Sequence, residues 1–152
     1  MTMTIRRANH SDLKQLSMLF DAYRVFYEKQ SDLESAKLFL SDRIKNGDSE
    51  IAVAEDATDG LVGFVQLYPL FSSTRMNKLW LLNDLYLSPA FRGRGVSIML
   101  IDYAKDLAKK TNSAGLILET AKSNAIGNSL YSKTGFTLDV DRNFYSWDNE
   151  SR

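Results

Sequence analysis

Leu79-Trp80-Leu81-Leu82-Asn83-Asp84-Leu85-Tyr86-Leu87-Ser88-Pro89-Ala90-Phe91-Arg92-Gly93-Arg94-Gly95-Val96-Ser97 decides how this 152-residue chain folds. Residues 79–87 make a strongly apolar run of strand length, stopped at Ser88-Pro89 because proline cannot donate to a ladder. A turn with two glycines and two arginines follows. Beyond it, Val96, Leu100, Tyr103, Ala104 and Leu107 recur on one helical face, and Lys105, Lys109 and Lys110 lie mostly opposite or at the end. The stretch therefore reads as buried strand, glycine-arginine turn and amphipathic helix.

The turn has a chemical meaning of its own. The first turn of a helix carries unpaired amides and roughly half a positive charge, so it receives anions. Glycine lets the backbone approach a pyrophosphate and take positive φ, and Arg92 and Arg94 add charge that pairs with phosphate oxygens. No Gly-Lys-Ser/Thr stands at the spacing of a nucleoside-triphosphate loop, and three glycines at dinucleotide offsets are absent. A cationic, solvated turn is the competing reading of the same residues.

Outward from this core, residues 3–8 read as an opening strand. Ser11 or Asp12 can cap a helix from Leu13, along which Leu16, Leu19, Phe20, Tyr23, Phe26 and Tyr27 recur at helical spacing. Ser31-Asp32-Leu33-Glu34 has the form of a capping box and opens a second helix with Leu38, Phe39, Leu40 and Ile44, ended by Asn46-Gly47. Residues 51–54 and 61–70 form a hairpin across the polar turn 56–60. Toward the C-terminus, 115–120 is a strand, 124–133 a short helix ended at Gly135, and 136–140 and 144–147 two closing strands. No repeat, low-complexity tract or linker interrupts this order, which predicts one mixed α/β domain over residues 1–152.

Composition narrows the function classes. Hydrophobic residues make up 44% and charged residues 25%, as in a folded globular protein. Lys+Arg and Asp+Glu balance at 19 each, so the basic excess that usually meets a nucleic-acid backbone is missing. No apolar run approaches the ~20 residues of a membrane helix, and the N-terminus lacks the apolar stretch of a secretory signal. With no cysteine, disulfides and thiolate chemistry are excluded, and a cytoplasmic setting is the simplest. The one histidine, His10, sits in a turn, too little for a zinc site or a Ser-His-Asp triad, so no metal is expected. Chemistry is left to tyrosine, carboxylates and backbone amides.

Three segments together resemble the GNAT superfamily of N-acetyltransferases. Residues 85–97 match its strand, proline and Arg/Gln-x-x-Gly-x-Gly/Ala element, and residues 98–110 its following helix. Asn124-Ala125-Ile126-Gly127-Asn128-Ser129-Leu130-Tyr131-Ser132-Lys133-Thr134-Gly135-Phe136 is similar to its Asn-x-x-Ala-x-x-Leu-Tyr-x-Lys-x-Gly-Phe pattern. Ser97 stands where the family usually has Gly or Ala, and Gly127 where it usually has Ala. Residues 19–27 and 82–87 look like the subgroup of histone, polyamine and amino-acid acetylases. The resemblance implies an α/β fold of the α+β mixed kind. Its mostly antiparallel sheet would have about 6–7 strands with a splayed parallel pair, flanked by about 4 helices.

It also implies a chemistry. Acetyl-CoA would lie against Leu85, Tyr86 and Leu87, with its pyrophosphate in the loop Arg92, Gly93, Arg94, Gly95, Val96 and Ser97, and with Asn124 and Asn128 fastening its arm. Tyr131 would be the general acid that protonates the departing CoA thiolate, since a phenol stays protonated at neutral pH. Asp84 and Glu119 are the candidate bases, and Asn83 stands where some relatives place a Glu. Tyr23, Phe26, Tyr27 and Glu28 would form an aromatic, partly acidic wall for an ammonium group. Each residue also has a plain structural reading: Tyr131 and the aromatic stripe as core, Asn124 as a helix cap, the carboxylates as hydrogen-bonded supports. The acceptor would be a small-molecule or peptide amine, and the assembly a homodimer. A non-catalytic CoA-binding sensor or scaffold of the same fold, and a nucleotide-binding regulatory domain, remain the alternatives.

Overall fold

A computed structural model of the chain describes residues 2–151. The chain divides into two compact units, one ending at Glu119 and one beginning at Thr120. In the first, the described residues form a five-stranded sheet in the order β1 (Met3–Arg7), β2 (Glu50–Asp56), β3 (Gly60–Ser72), β4 (Asn77–Leu87) and β5 (Leu116–Ile117). The first three pairings are antiparallel, and β4 pairs β5 in parallel. Three helices accompany the sheet: α1 (Leu13–Phe26), α2 (Leu33–Asn46) and α3 (Val96–Lys110).

Strand alternation sorts the core into two layers. Ile51, Val53 and Phe64 cluster with Leu13, Leu16, Leu19 and Phe20 of α1 and Ala36 and Leu40 of α2. Ala52, Ala54 and Val65 point to the other face, where α3 packs its buried Val96, Leu100, Ile101 and Ala104. Two alanines on β2 let that helix come close.

The entry to α1 differs from the expectation. Neither Ser11 nor Asp12 caps it from the side. Asn9 does so through a 3-10 turn (His10–Asp12): its side chain accepts from the Ser11 N–H at 2.9 Å, and the Asp12 carboxylate accepts from the Asn9 N–H at 2.8 Å. Asp12 is thereby aimed at Arg6, whose two Nη atoms each donate to one of its oxygens at 2.8 Å. Arg6 also donates from Nε to Glu55 at 3.1 Å, so one guanidinium joins β1, β2 and the start of α1.

The Arg6 hydrogen bonds hold the Asp12 carboxyl below its ordinary value of 3.8. A depressed folded value means that Asp12 adds stability above the unfolded value, and that this is lost as pH falls through the folded one. Asp12→Asn is expected to lower stability by about 2 kcal/mol at pH 7, the scale of hydrogen bonds to charged groups. Thermal unfolding should show the gap between the two proteins closing below about pH 4. A gap that persists undiminished at pH 2 would remove the charge from the explanation.

At α2 the expected capping box is also corrected. Asp32 is the cap, accepting from the Ser35 N–H at 3.1 Å. Asp21 of α1 takes both the Ser31 hydroxyl at 2.6 Å and the Asp32 N–H at 2.7 Å, which fixes Ser31 outside the helix. The strand count is corrected as well. The expected strand 115–120 pairs only at Leu116–Ile117, and residues 136–140 and 144–147 join no ladder, giving five described strands instead of six or seven. The second unit contains α4 (Ala125–Lys133).

Candidate active site

The site of the first unit is built around a register shift in β4. Asp84 pairs with Gln66 and Leu82 with Leu67, so Asn83 is an extra residue between them. Before this bulge, the Trp80 N–H donates to Gly115 O on the β5 side. Beyond it the phase reverses. The Ser88 N–H donates to Val62 O, and with Tyr86 opposite Phe64 this places residues 84, 86 and 88 in bonds to β3. The backbone groups of Leu85 and Leu87 therefore face the opposite edge of β4. The parallel ladder to β5 covers only Trp80↔Leu116 and Leu81↔Ile117, so it ends before reaching them. A chain with donors and acceptors, such as a pantetheine arm, finds strand-like partners there.

Four residues on, Phe91 is buried at the end of a 3-10 turn and anchors the loop. Gly93 and Gly95 follow with φ of 77° and 80°, a region that side chains disfavour, and a Cβ on either would meet nothing within 4 Å. Open space lies where a ligand must approach. Gly95 is the cap of α3; no side chain bonds the first-turn amides, and no acidic residue stands in that turn. Uncapped amides with the helix dipole behind them form an anion site, and the residues present fit a diphosphate.

The two arginines of the loop are differently engaged. Arg94 lies over the ring of Phe91, its guanidinium carbon 5.1 Å from the centroid. Arg92 donates from Nε to Leu87 O at 3.0 Å and lies over two rings, 5.4 Å from the centroid of Phe26 and 5.6 Å from that of Tyr86.

Those rings belong to an aromatic group that the sequence foresaw in part. Tyr23 meets Tyr27 edge-on at 5.1 Å, Phe64 at 5.8 Å and Tyr86 at 6.2 Å. Phe26 meets Tyr27 at 5.2 Å and Tyr86 at 6.4 Å. Phe26 and Tyr27 are 55% and 45% exposed, while Phe64 is buried and Tyr23 and Tyr86 pack against the core, so the group runs from core to surface. Glu28 follows with φ of 64°, exposed at the end of α1.

Behind the wall lies a buried polar chain. Asp84 is 3% exposed and accepts from Gln66 Nε2 and, at 2.9 Å, from Asn83 Nδ2. Gln66 is fully buried, and its carbonyl takes the Ser49 hydroxyl at 2.9 Å. The Tyr23 hydroxyl donates to Asn83 O at 3.4 Å, beside the Asp84 carboxylate. Burial pushes the Asp84 carboxyl up, against the pull of its donors Gln66, Tyr23 and Asn83. Burial, followed by the charge of Asp84, pushes the Tyr23 phenol up as well. Tyr23, Asn83 and Asp84 thus lie together, while Glu119 is exposed just past β5. Gln66 and Ser49 went unnoticed in the sequence. The available signal was one amide inside the apolar run 61–68.

In the second unit, Asn124 caps α4 by accepting from the Gly127 N–H at 3.1 Å, and its own amide donates to Thr120 at 2.9 Å. Asn128 donates to Asn124 O at 2.8 Å and to Ala121 O at 3.0 Å. Both amides, expected on the CoA arm, hold the loop before the helix. Gly127 gains a reason too, because a Cβ there would collide with the Asn124 amide. Tyr131 packs edge-on against Phe136 at 5.6 Å. Among the described residues, no cluster of three metal-ligating side chains occurs, and no helix is long and apolar enough to cross a membrane.

A phosphate-ready helix start beside a bulged strand edge calls for comparison with known proteins. The sequence profile of the acetyltransferase (GNAT) family matches residues 16–136. The chain belongs to the GNAT acetyltransferase family. An uncharacterized N-acetyltransferase of Bacillus subtilis (strain 168), YhfO, is 40% identical over 91% of this GNAT chain and 92% of its own. The crystal structure of a probable acetyltransferase superposes with a TM-score of 0.91, at 32% identity, over 97% of this chain and 98% of that one. A streptothricin acetyltransferase of Escherichia coli is 28% identical over 89% of this chain and 75% of its own. The GNAT fold is thus the mixed sheet described above, with its parallel β4–β5 pair.

Proposed function

We propose that the protein transfers the acetyl group of acetyl-CoA to a primary amine by direct attack in a ternary complex. The observation that carries this reading is the start of α3, where amides without a side-chain cap meet two positive-φ glycines and no acid. The diphosphate of CoA lies on the amides of residues 94–97, and its arm runs along Leu85 and Leu87. Backbone amides at that edge polarise the thioester carbonyl.

The amine nitrogen attacks the carbonyl carbon, the C–N bond forms and the C–S bond breaks. Tyr131 gives its proton to the leaving thiolate and is reprotonated through solvent by the proton that the attacking nitrogen sheds as the amide forms. The ammonium's own proton leaves through water to a carboxylate, and the chain offers Asp84 and Glu119. Burial raises the Asp84 carboxyl, which makes it a stronger base than a solvated carboxylate. The aromatic wall with Asn83 receives the acceptor, and the streptothricin acetyltransferase among the relatives supports a small molecule over a peptide. A cytoplasmic homodimer completes the reading.

Because the chain has no cysteine, a thiol reagent in solution reports only released CoA. Acetyl-CoA with a panel of polyamines, amino acids, aminoglycosides and a lysine peptide should release thiol with at least one acceptor. CoA binding without acetylation of any acceptor is the result expected of a non-catalytic sensor, and it would displace this reading.

A further inference from the structure

Arg92 occupies a place that its motif does not foresee. Its guanidinium is drawn to two ring faces and one carbonyl, not toward the helix start. Phe26 is the last residue of α1, Tyr86 and Leu87 are the last two of β4, and Arg92 opens the glycine turn. One side chain therefore ties the acceptor wall, the donor strand and the phosphate loop together. Leu87 O belongs to the edge of β4 that faces away from β3, so Arg92 competes there for an acceptor that a pantetheine arm would otherwise meet alone. The Leu85 backbone and the Leu87 N–H are the groups on that edge that the arm need not share with Arg92.

We propose that Arg92 is a positioning residue for both substrates, and that the diphosphate is held by the amides of residues 94–97 without it. The inference rests on the acetyl-transfer reading. It also says something about the acceptor: the faces of Phe26 and Tyr86 already carry a cation of the chain, so an incoming ammonium is received at the Tyr23, Tyr27 and Asn83 end of the wall. A planar guanidinium suits this role, since it stacks on rings while its Nε reaches a carbonyl; an ammonium has no plane.

The test compares acetyl-CoA with acetyl-pantetheine, which carries the thioester but no diphosphate, in Arg92→Ala, Arg92→Lys and Phe26→Leu. Positioning predicts that both Arg92 variants lose about tenfold in kcat/KM with either donor, and that acceptor KM rises. CoA binding by calorimetry should stay within about threefold of wild type, because the helix amides remain. Phe26→Leu should share the defect, and the double variant with Arg92→Ala should be less than additive. A phosphate role predicts the reverse: a loss confined to acetyl-CoA, CoA binding weakened about tenfold or more, and recovery in Arg92→Lys. Such a pattern overturns the inference while leaving acetyl transfer intact. A wild-type protein inactive with both donors overturns the parent reading, and this one with it.

Discussion

Tyr131→Phe is expected to lower kcat about 100-fold or more, within the ~10²–10⁴ that a positioned general acid contributes, with CoA affinity unchanged. Tyr131 meets Phe136 edge-on at 5.6 Å, and its backbone carbonyl accepts from the Phe136 N–H at 3.0 Å. A phenylalanine ring keeps the first contact, and the main chain keeps the second. If the tyrosine serves packing alone, turnover should stay near wild type. If it protonates the leaving thiolate, turnover falls while CoA binding holds. A variant retaining more than about a third of wild-type kcat, with saturating acetyl-CoA and amine, would take Tyr131 out of the proton transfer.

How much of this was legible beforehand varies with the kind of interaction. The strands β3 and β4 and the helix α3 were readable because apolar runs and helical periodicity are local signals. Their observed bounds, Gly60–Ser72, Asn77–Leu87 and Val96–Lys110, extend the expected ones by no more than two residues at each end. The caps were not readable. Ser31, Asp32, Asn9 and Asp12 are all competent, and what chooses among them lies elsewhere in the chain, in Asp21 for one helix and Arg6 for the other. Residues 136–140 and 144–147 have strand-like composition, yet a strand exists only where a partner accepts its hydrogen bonds.

The site follows the same division. Its glycine-arginine turn was legible because the helix start and the glycines are contiguous in sequence. The bulge at Asn83 was hidden, since period two places Asn83 and Asp84 on opposite faces and the shift depends on Gln66 and Leu67 of another strand. A motif likewise shows that Arg92 is positive without showing what it faces. Phe26 lies 66 residues earlier, and only the fold brings the two together.

The second large effect concerns that turn, and its sign differs for stability and binding. Ser97→Asp is expected to raise the unfolding temperature while weakening CoA binding roughly 200-fold. An aspartate in the first turn of α3 meets the helix dipole, in a turn that has no acid and no side-chain cap, and should add about 0.3–1 kcal/mol. For a chain of this size that is about 1–3 °C. The same charge about 5 Å from a phosphate, at an effective dielectric near 20, costs about 3 kcal/mol per charge pair. Salt should shrink both effects, since the turn is exposed. A solvated cationic turn with no ligand predicts only the thermal gain. Calorimetry with CoA beside thermal unfolding of the same variant therefore separates the two readings, and unchanged CoA affinity would end the phosphate assignment. That the natural sequence leaves this helix start without an acid is what an anion site requires, because stability gained there is binding lost.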